Sequence, residues 1–122
     1  MGGDAGDPLH RCALAHAMAD VQDEVREELV WDLRALEAAD SISDERATVA
    51  GLSGARALYP SLHLNLGECY RKVGELARAR EQLRRGQAAV AALADDGYGR
   101  LISGGLDRLA ERLSLAQTAV RP

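Results

Sequence analysis

The side chains best able to do chemistry in this sequence are three histidines, two cysteines and one adjacent pair of aspartates. His10, His16 and His63 fall in no HExxH and in no His/carboxylate spacing that would grip a metal, so they read as surface or internally satisfied histidines. Asp95 and Asp96 adjoin, but neighbouring carboxylates just before a helix usually cap its free amides and face its positive end. Cys12 and Cys69 stand alone in sequence, with no CxxC and no second ligand beside them. They read as small buried hydrophobes rather than a disulfide or a redox pair. Gly97-Tyr98-Gly99 and Gly104-Gly105 lack the preceding strand and the following Lys-Ser/Thr of a phosphate loop. Ser41, Ser43, Ser53, Ser61, Ser103 and Ser114 have no nucleophile-elbow context. The expectation is a protein that is not an enzyme and uses no metal or cofactor.

The elements that carry these residues follow from composition. A chain of 122 residues, 47% hydrophobic and 28% charged, has the size and balance of one globular domain with its own core. Aromatics make up 3% and Phe is absent, so the core must be Leu, Val, Ile and Ala. Small aliphatics pack helices closely, whereas strands favour β-branched and aromatic residues. Between Pro8 and Gly51 there is neither Gly nor Pro, and apolar residues recur at Leu14, Met18, Val21, Val25, Leu29, Leu33 and Leu36 in helical spacing. Polar residues at Asp20–Asp23 break this run, giving a hairpin of about 9–20 and 24–40. Asp7-Pro8 is its cap and first turn. Ser43 caps a new start. Residues 44–58, with Gly51 and Gly54, read as a short helix and loop or as a loose helix kinked at Pro60. Helices over 60–73 (ending at Gly74) and from Glu75 to about Leu93 come next. The last runs over about 98–117, with a stripe of Ile102, Leu106, Leu109, Leu113, Ala116 and Val120. Residues 1–6 read as a loose tail. No stretch alternates as a strand would, so the fold is all-α.

Net charge is −4, which argues against non-specific binding of nucleic acid. Its distribution is uneven. Residues 1–45 hold twelve acids and three bases, a net of −9, and residues 46–122 hold twelve bases and seven acids, a net of +5. The acidic cluster Asp20, Asp23, Glu24, Glu27, Glu28, Asp32 and the basic cluster Arg71, Lys72, Arg78, Arg80, Arg84, Arg85 should attract, within one chain or between chains; otherwise both are solvated faces. The acidic, apolar-poor opening is unlike a signal peptide, and no apolar run is long enough to span a membrane. A cytoplasmic protein is expected. One Lys against fourteen Arg, with abundant Ala and Gly, is the usage of a GC-rich, bacterial genome.

Within this frame residues 60–93 resemble a tetratricopeptide repeat, a thirty-four-residue helix pair. Leu66-Gly67 match the Leu-Gly pair of its first helix and Tyr70 its aromatic. Gly74 falls at the turn, Ala79 at the small position of the second helix and Leu83 at its large apolar one. Three positions depart: His63 replaces an aromatic, Gly86 an alanine and Ala91 the closing proline. Residues 9–42 read as a second, degenerate unit and 98–117 as a capping helix. The resemblance thus implies one domain over 1–122, an antiparallel array of helix hairpins with a C-terminal cap.

A tetratricopeptide array binds on the concave side lined by its first helices. The resemblance places Ser61, Leu64, Asn65, Glu68, Arg71 and Lys72 on that side. Asn65 matches one of the five residues with which some family members clamp a peptide carboxylate, and Glu68 puts the wrong charge beside it. A generic groove for another protein or peptide, of acidic character, is the expectation, together with a homodimer through 98–117 or 9–40. The other expectation is a regulatory or sensor domain holding a small ligand between helices.

Overall fold

The computed structural model describes residues 7–49 and 55–120, and every regular element among them is helical. The elements are α1 (Pro8–Asp20), α2 (Val25–Ala39), a short α3 (Asp44–Val49), α4 (Tyr59–Lys72), α5 (Leu76–Ala89) and α6 (Gly97–Val120). Single 3₁₀ turns at Ala55–Leu58 and Val90–Ala92 lie before α4 and after α5. The segment 50–54 and residues 1–6, read from sequence as part of a loop and as a tail, lie outside the described residues.

Local chemistry sets the helix ends. The Asp7 carboxylate accepts from the Leu9 amide at 3.0 Å, with Pro8 in the first turn where its missing N–H costs nothing. Ser43 Oγ accepts from the Arg46 amide at 3.1 Å, and Asp96 from the Gly99 amide at 2.8 Å. Both residues act as caps. Helix α4 ends with Gly74 at φ +86°, its amide bonded to the Arg71 carbonyl and the Glu75 amide to the Tyr70 carbonyl. That is a Schellman ending, and it needs a residue free to adopt positive φ.

Packing joins the helices in two pairs. Helix α1 lies against α2 and α4 against α5; α2 packs on α4, and α6 covers both α4 and α5. One apolar cluster contains Cys12, Ala15, Ala35, Ala38, Ala39, Ile42 and Leu62. The other contains Leu66, Tyr70, Ala79, Leu109 and Leu113. The half-buried Leu36 packs against both.

The buried face of the first pair differs from the aliphatic stripe read in the sequence. Leu14 is 61% exposed, Val21 69% and Leu33 41%, while Cys12, Ala15, Ala19, Ala35, Ala38 and Ala39 are buried. Small side chains let the two backbones approach, and the larger aliphatics are turned out to the flanks. In the second pair Gly67 and Ala79 are both buried, but the tightest approach at Gly67 comes from α6 rather than from α5. A Cβ on Gly67 would stand 2.6 Å from Leu109 Cδ2 and 3.6 Å from the Ala79 carbonyl oxygen. Gly105 admits Leu64 in the same way, at 2.6 Å, so one of the two adjacent glycines in α6 marks a close helix contact. The α6 stripe is buried at Ile102, Leu106, Leu109 and Leu113.

Candidate functional site

Helix α4 packs on α2, α5 and α6, and the six residues picked from sequence divide among three surroundings. Leu64 is covered by α6 where it meets Gly105. Ser61 donates its hydroxyl to the Leu58 carbonyl at 3.2 Å and lines a cleft of about 180 Å³. That cleft takes Leu9, Cys12, Ala13 and His16 from α1, Leu62 from α4 and Tyr98 from α6. Asn65 reaches across to α1, its Nδ2 standing 3.5 Å from His16 Nδ1, and His16 in turn faces Asp20 at 3.9 Å. Glu68 is gripped from two helices, by Arg71 Nε at 2.9 Å and by Arg112 of α6. Lys72 is exposed at the end of α4. Leu64 and Glu68 are thus engaged by α6, and of the six residues Ser61 alone lines the cleft.

The attraction expected between the acidic 20–32 segment and the Arg71/Lys72 region takes another form. Arg71 pairs with Glu68 on its own helix, Arg78 with Glu75, and Arg84 and Arg85 both with Glu81. Those two guanidiniums pull the Glu81 carboxyl down to about 2. The two halves are tied instead by Arg46 and Asp7 at 2.7 Å, and Arg46, chiefly through its hydrogen bond, holds the Asp7 carboxyl below its usual value. Intrahelical pairs three or four residues apart form at little entropic cost, which is why they win over long-range ones.

At the α2–α4 contact lies a polar group that sequence spacing did not reveal. Asp32 is 1% exposed. Its Oδ2 accepts a hydrogen bond from the Cys69 thiol at 3.3 Å, and its Oδ1 has no partner among the described residues. Burial pushes the Asp32 carboxyl up to about 6; the Cys69 bond opposes this, and the nearby Glu28 adds to it. Burial, then the bond to Asp32, raises the Cys69 thiol far above its ordinary value. Asp32 and Cys69 are 37 positions apart, so only the packing of α2 on α4 brings them together. The one available signal was a carboxylate set on the inward side of α2, one place after Trp31 and three before Ala35.

On the opposite side, His63 is buried, bonded through Nδ1 to Gln82 at 2.7 Å and stacked on Tyr59. Burial lowers its basicity despite that bond. Tyr59 donates to Asp40 at 2.6 Å; burial first, then this bond, pushes its phenol up to about 12. These two rings edge an open cavity of about 630 Å³ that also meets Arg56, Arg84, Arg85 and a wall of alanines. Comparison with protein families, with curated proteins and with solved structures finds no match. Among the described residues, no helix is long and apolar enough to cross a membrane.

Proposed function

We propose that the chain is a protein-interaction module of tetratricopeptide type, and that an extended or helical segment of a partner lies along α4 between α1 and α6. The observation that carries this reading is the cleft at the N-terminal end of α4, lined by Ser61 and Leu62 together with four residues of α1 and Tyr98 of α6. The site residues are Ser61, Asn65, Arg71 and Lys72, with Leu64 and Glu68 fixing α6 as one wall. At the α4 C-terminus Arg71, Lys72 and Arg112 outnumber Glu68 and the Glu28 carboxylate beside Cys69, which leaves a small excess of positive charge. An acidic partner segment suits that end, with an on-rate that falls as salt screens it.

Selection of peptides on the purified protein from a random library tests this. Recovered sequences should be rich in Asp and Glu. Their affinity should fall with salt, and it should be lost in the Arg71→Glu/Lys72→Glu variant while helical circular dichroism stays unchanged. Peptides of no acidic bias, or equal binding by that variant, would refute it.

A second reading is favoured by the 630 Å³ cavity, whose size suits a small molecule and whose three arginines suit an anionic one. In that case the chain is a ligand-sensing domain. Loss of small-anion binding in Arg56→Ala and Arg85→Ala, with peptide binding intact, would favour it.

A further inference from the structure

The ligand-capable atoms of Glu28, Asp32 and Cys69 all lie within 4.8 Å of one another, two on α2 and one on α4. An acidic pair and a thiol carry little alone. The second observation is the orphaned Asp32 Oδ1, a carboxylate oxygen in a residue 1% exposed, with neither solvent nor a donor among the described residues. Such an atom costs free energy unless something positive meets it, as an ion held through both oxygens of the Asp32 carboxylate would. We propose that Glu28, Asp32 and Cys69 form a binding site for a thiophilic divalent transition ion, zinc above all, that pins α2 to α4.

The geometry agrees. A tetrahedral ion with a sulfur ligand at about 2.3 Å and an oxygen ligand at about 2.0 Å holds the two about 3.5 Å apart. Cys69 Sγ and Asp32 Oδ2 already stand at 3.3 Å, so a metal can take the place of the shared proton without moving either backbone. The Glu28 side chain is only half-buried, on the first turn of α2, and a rotamer change closes the remaining distance of about 1 Å. Water completes the fourth position. On binding, the Cys69 S–H bond breaks, its proton passes to solvent, and the S–metal bond forms.

The donor set selects the metal. Calcium and magnesium want six or more oxygens, and a thiolate with two carboxylates suits zinc, cobalt or iron instead. The surrounding acids Asp20, Asp23, Glu24 and Glu27 raise the local concentration of any cation without choosing among them.

Cobalt(II) is the probe, titrated into the full chain after it has been stripped with a chelator. The expected result is one equivalent bound, a thiolate-to-cobalt charge-transfer band in the near ultraviolet and visible d–d bands. Zinc should displace the cobalt and raise the melting temperature. Cys69→Ser should lose the charge-transfer band, and Glu28→Gln should weaken binding by tenfold or more. Both variants are first checked for native circular dichroism. Glu28 is half-buried and its amide isostere leaves the core untouched, so this variant keeps the test valid if Cys69→Ser unfolds. Absence of the charge-transfer band, a cobalt affinity unchanged in Glu28→Gln, or an equal response to calcium would each overturn the proposal.

Discussion

Gly104 and Gly105 are adjacent in the middle of α6, yet their surroundings are opposite. A Cβ at 104 would meet only the end of the Arg108 side chain at 3.5 Å, whereas one at 105 would be forced to 2.6 Å from Leu64 Cδ2. Both positions gain about 1 kcal/mol of helix propensity when Gly becomes Ala. At 104 that gain should appear nearly whole. At 105 Leu64 must yield, and Leu64 packs in the cluster of Leu66, Tyr70 and Leu109, so overpacking should cost about 1–3 kcal/mol. The expected difference between Gly104→Ala and Gly105→Ala is therefore about 1–3 kcal/mol. That amounts to roughly 4–12 °C in melting temperature for a domain of this size. Urea unfolding followed by circular dichroism reads it, and the shared backbone effect cancels in the comparison. Equal stabilisation by both substitutions would mean that α6 does not lie on Leu64. Helix α6 would then not wall that side of α4.

Three further outcomes are expected. Ala79→Leu should cost at least about 1–3 kcal/mol by overpacking the α4–α5 contact, Gly67→Leu as much by running into Leu109 of α6, and Arg78→Leu on the exposed side far less, so equal melting temperatures would remove both close helix contacts. With metal chelated, Asp32 should make stability fall between about pH 4 and pH 6. There the unfolded carboxyl ionises while the folded one, near 6, keeps its proton; the loss approaches about 2–3 kcal/mol and should vanish in Asp32→Asn under urea titration at a series of pH values. Self-association should appear as a dimer by light scattering at about 100 µM protein. Exposed Leu14, Val30 and Leu33 on α1 and α2, or Leu101 and Leu115 on α6, would provide the apolar surface, and a strict monomer would rule it out.

The parts of the fold governed by neighbours in sequence were legible. Asp7, Ser43 and Asp96 are caps, Gly74 ends α4, the 20–24 segment breaks the first run, and Ile102, Leu106, Leu109 and Leu113 face inward. Each depends on one turn of chain. What depends on distant chain was not legible. The burial of Ala and Cys in place of Leu14 and Leu33 is decided by how closely α1 and α2 approach, which aliphatic spacing does not encode. Glu28, Asp32 and Cys69 meet only because α2 crosses α4 at that level. Arg112 reaches Glu68 only because Gly105 brings α6 close. The choice of the α4 face rested on the resemblance of 60–93 to a repeat, and the contacts that α1 and α6 make with it could not be read from spacing.

The meeting of the two apolar clusters at Leu36 bears on how the molecule comes apart. Beyond that side chain, the seam between α2 and α4 includes the Asp32–Cys69 pair, which contributes less than an all-apolar contact. Each pair of helices is built from contacts close in sequence, the kind that form fastest. A buried polar pair makes this seam the plane expected to open first, so native-state hydrogen exchange should release the α1 and α2 amides through a partial opening, while α4 and α5 wait for complete unfolding. A cation at Glu28, Asp32 and Cys69 would bind across that plane, and the amides of all four helices would then exchange together.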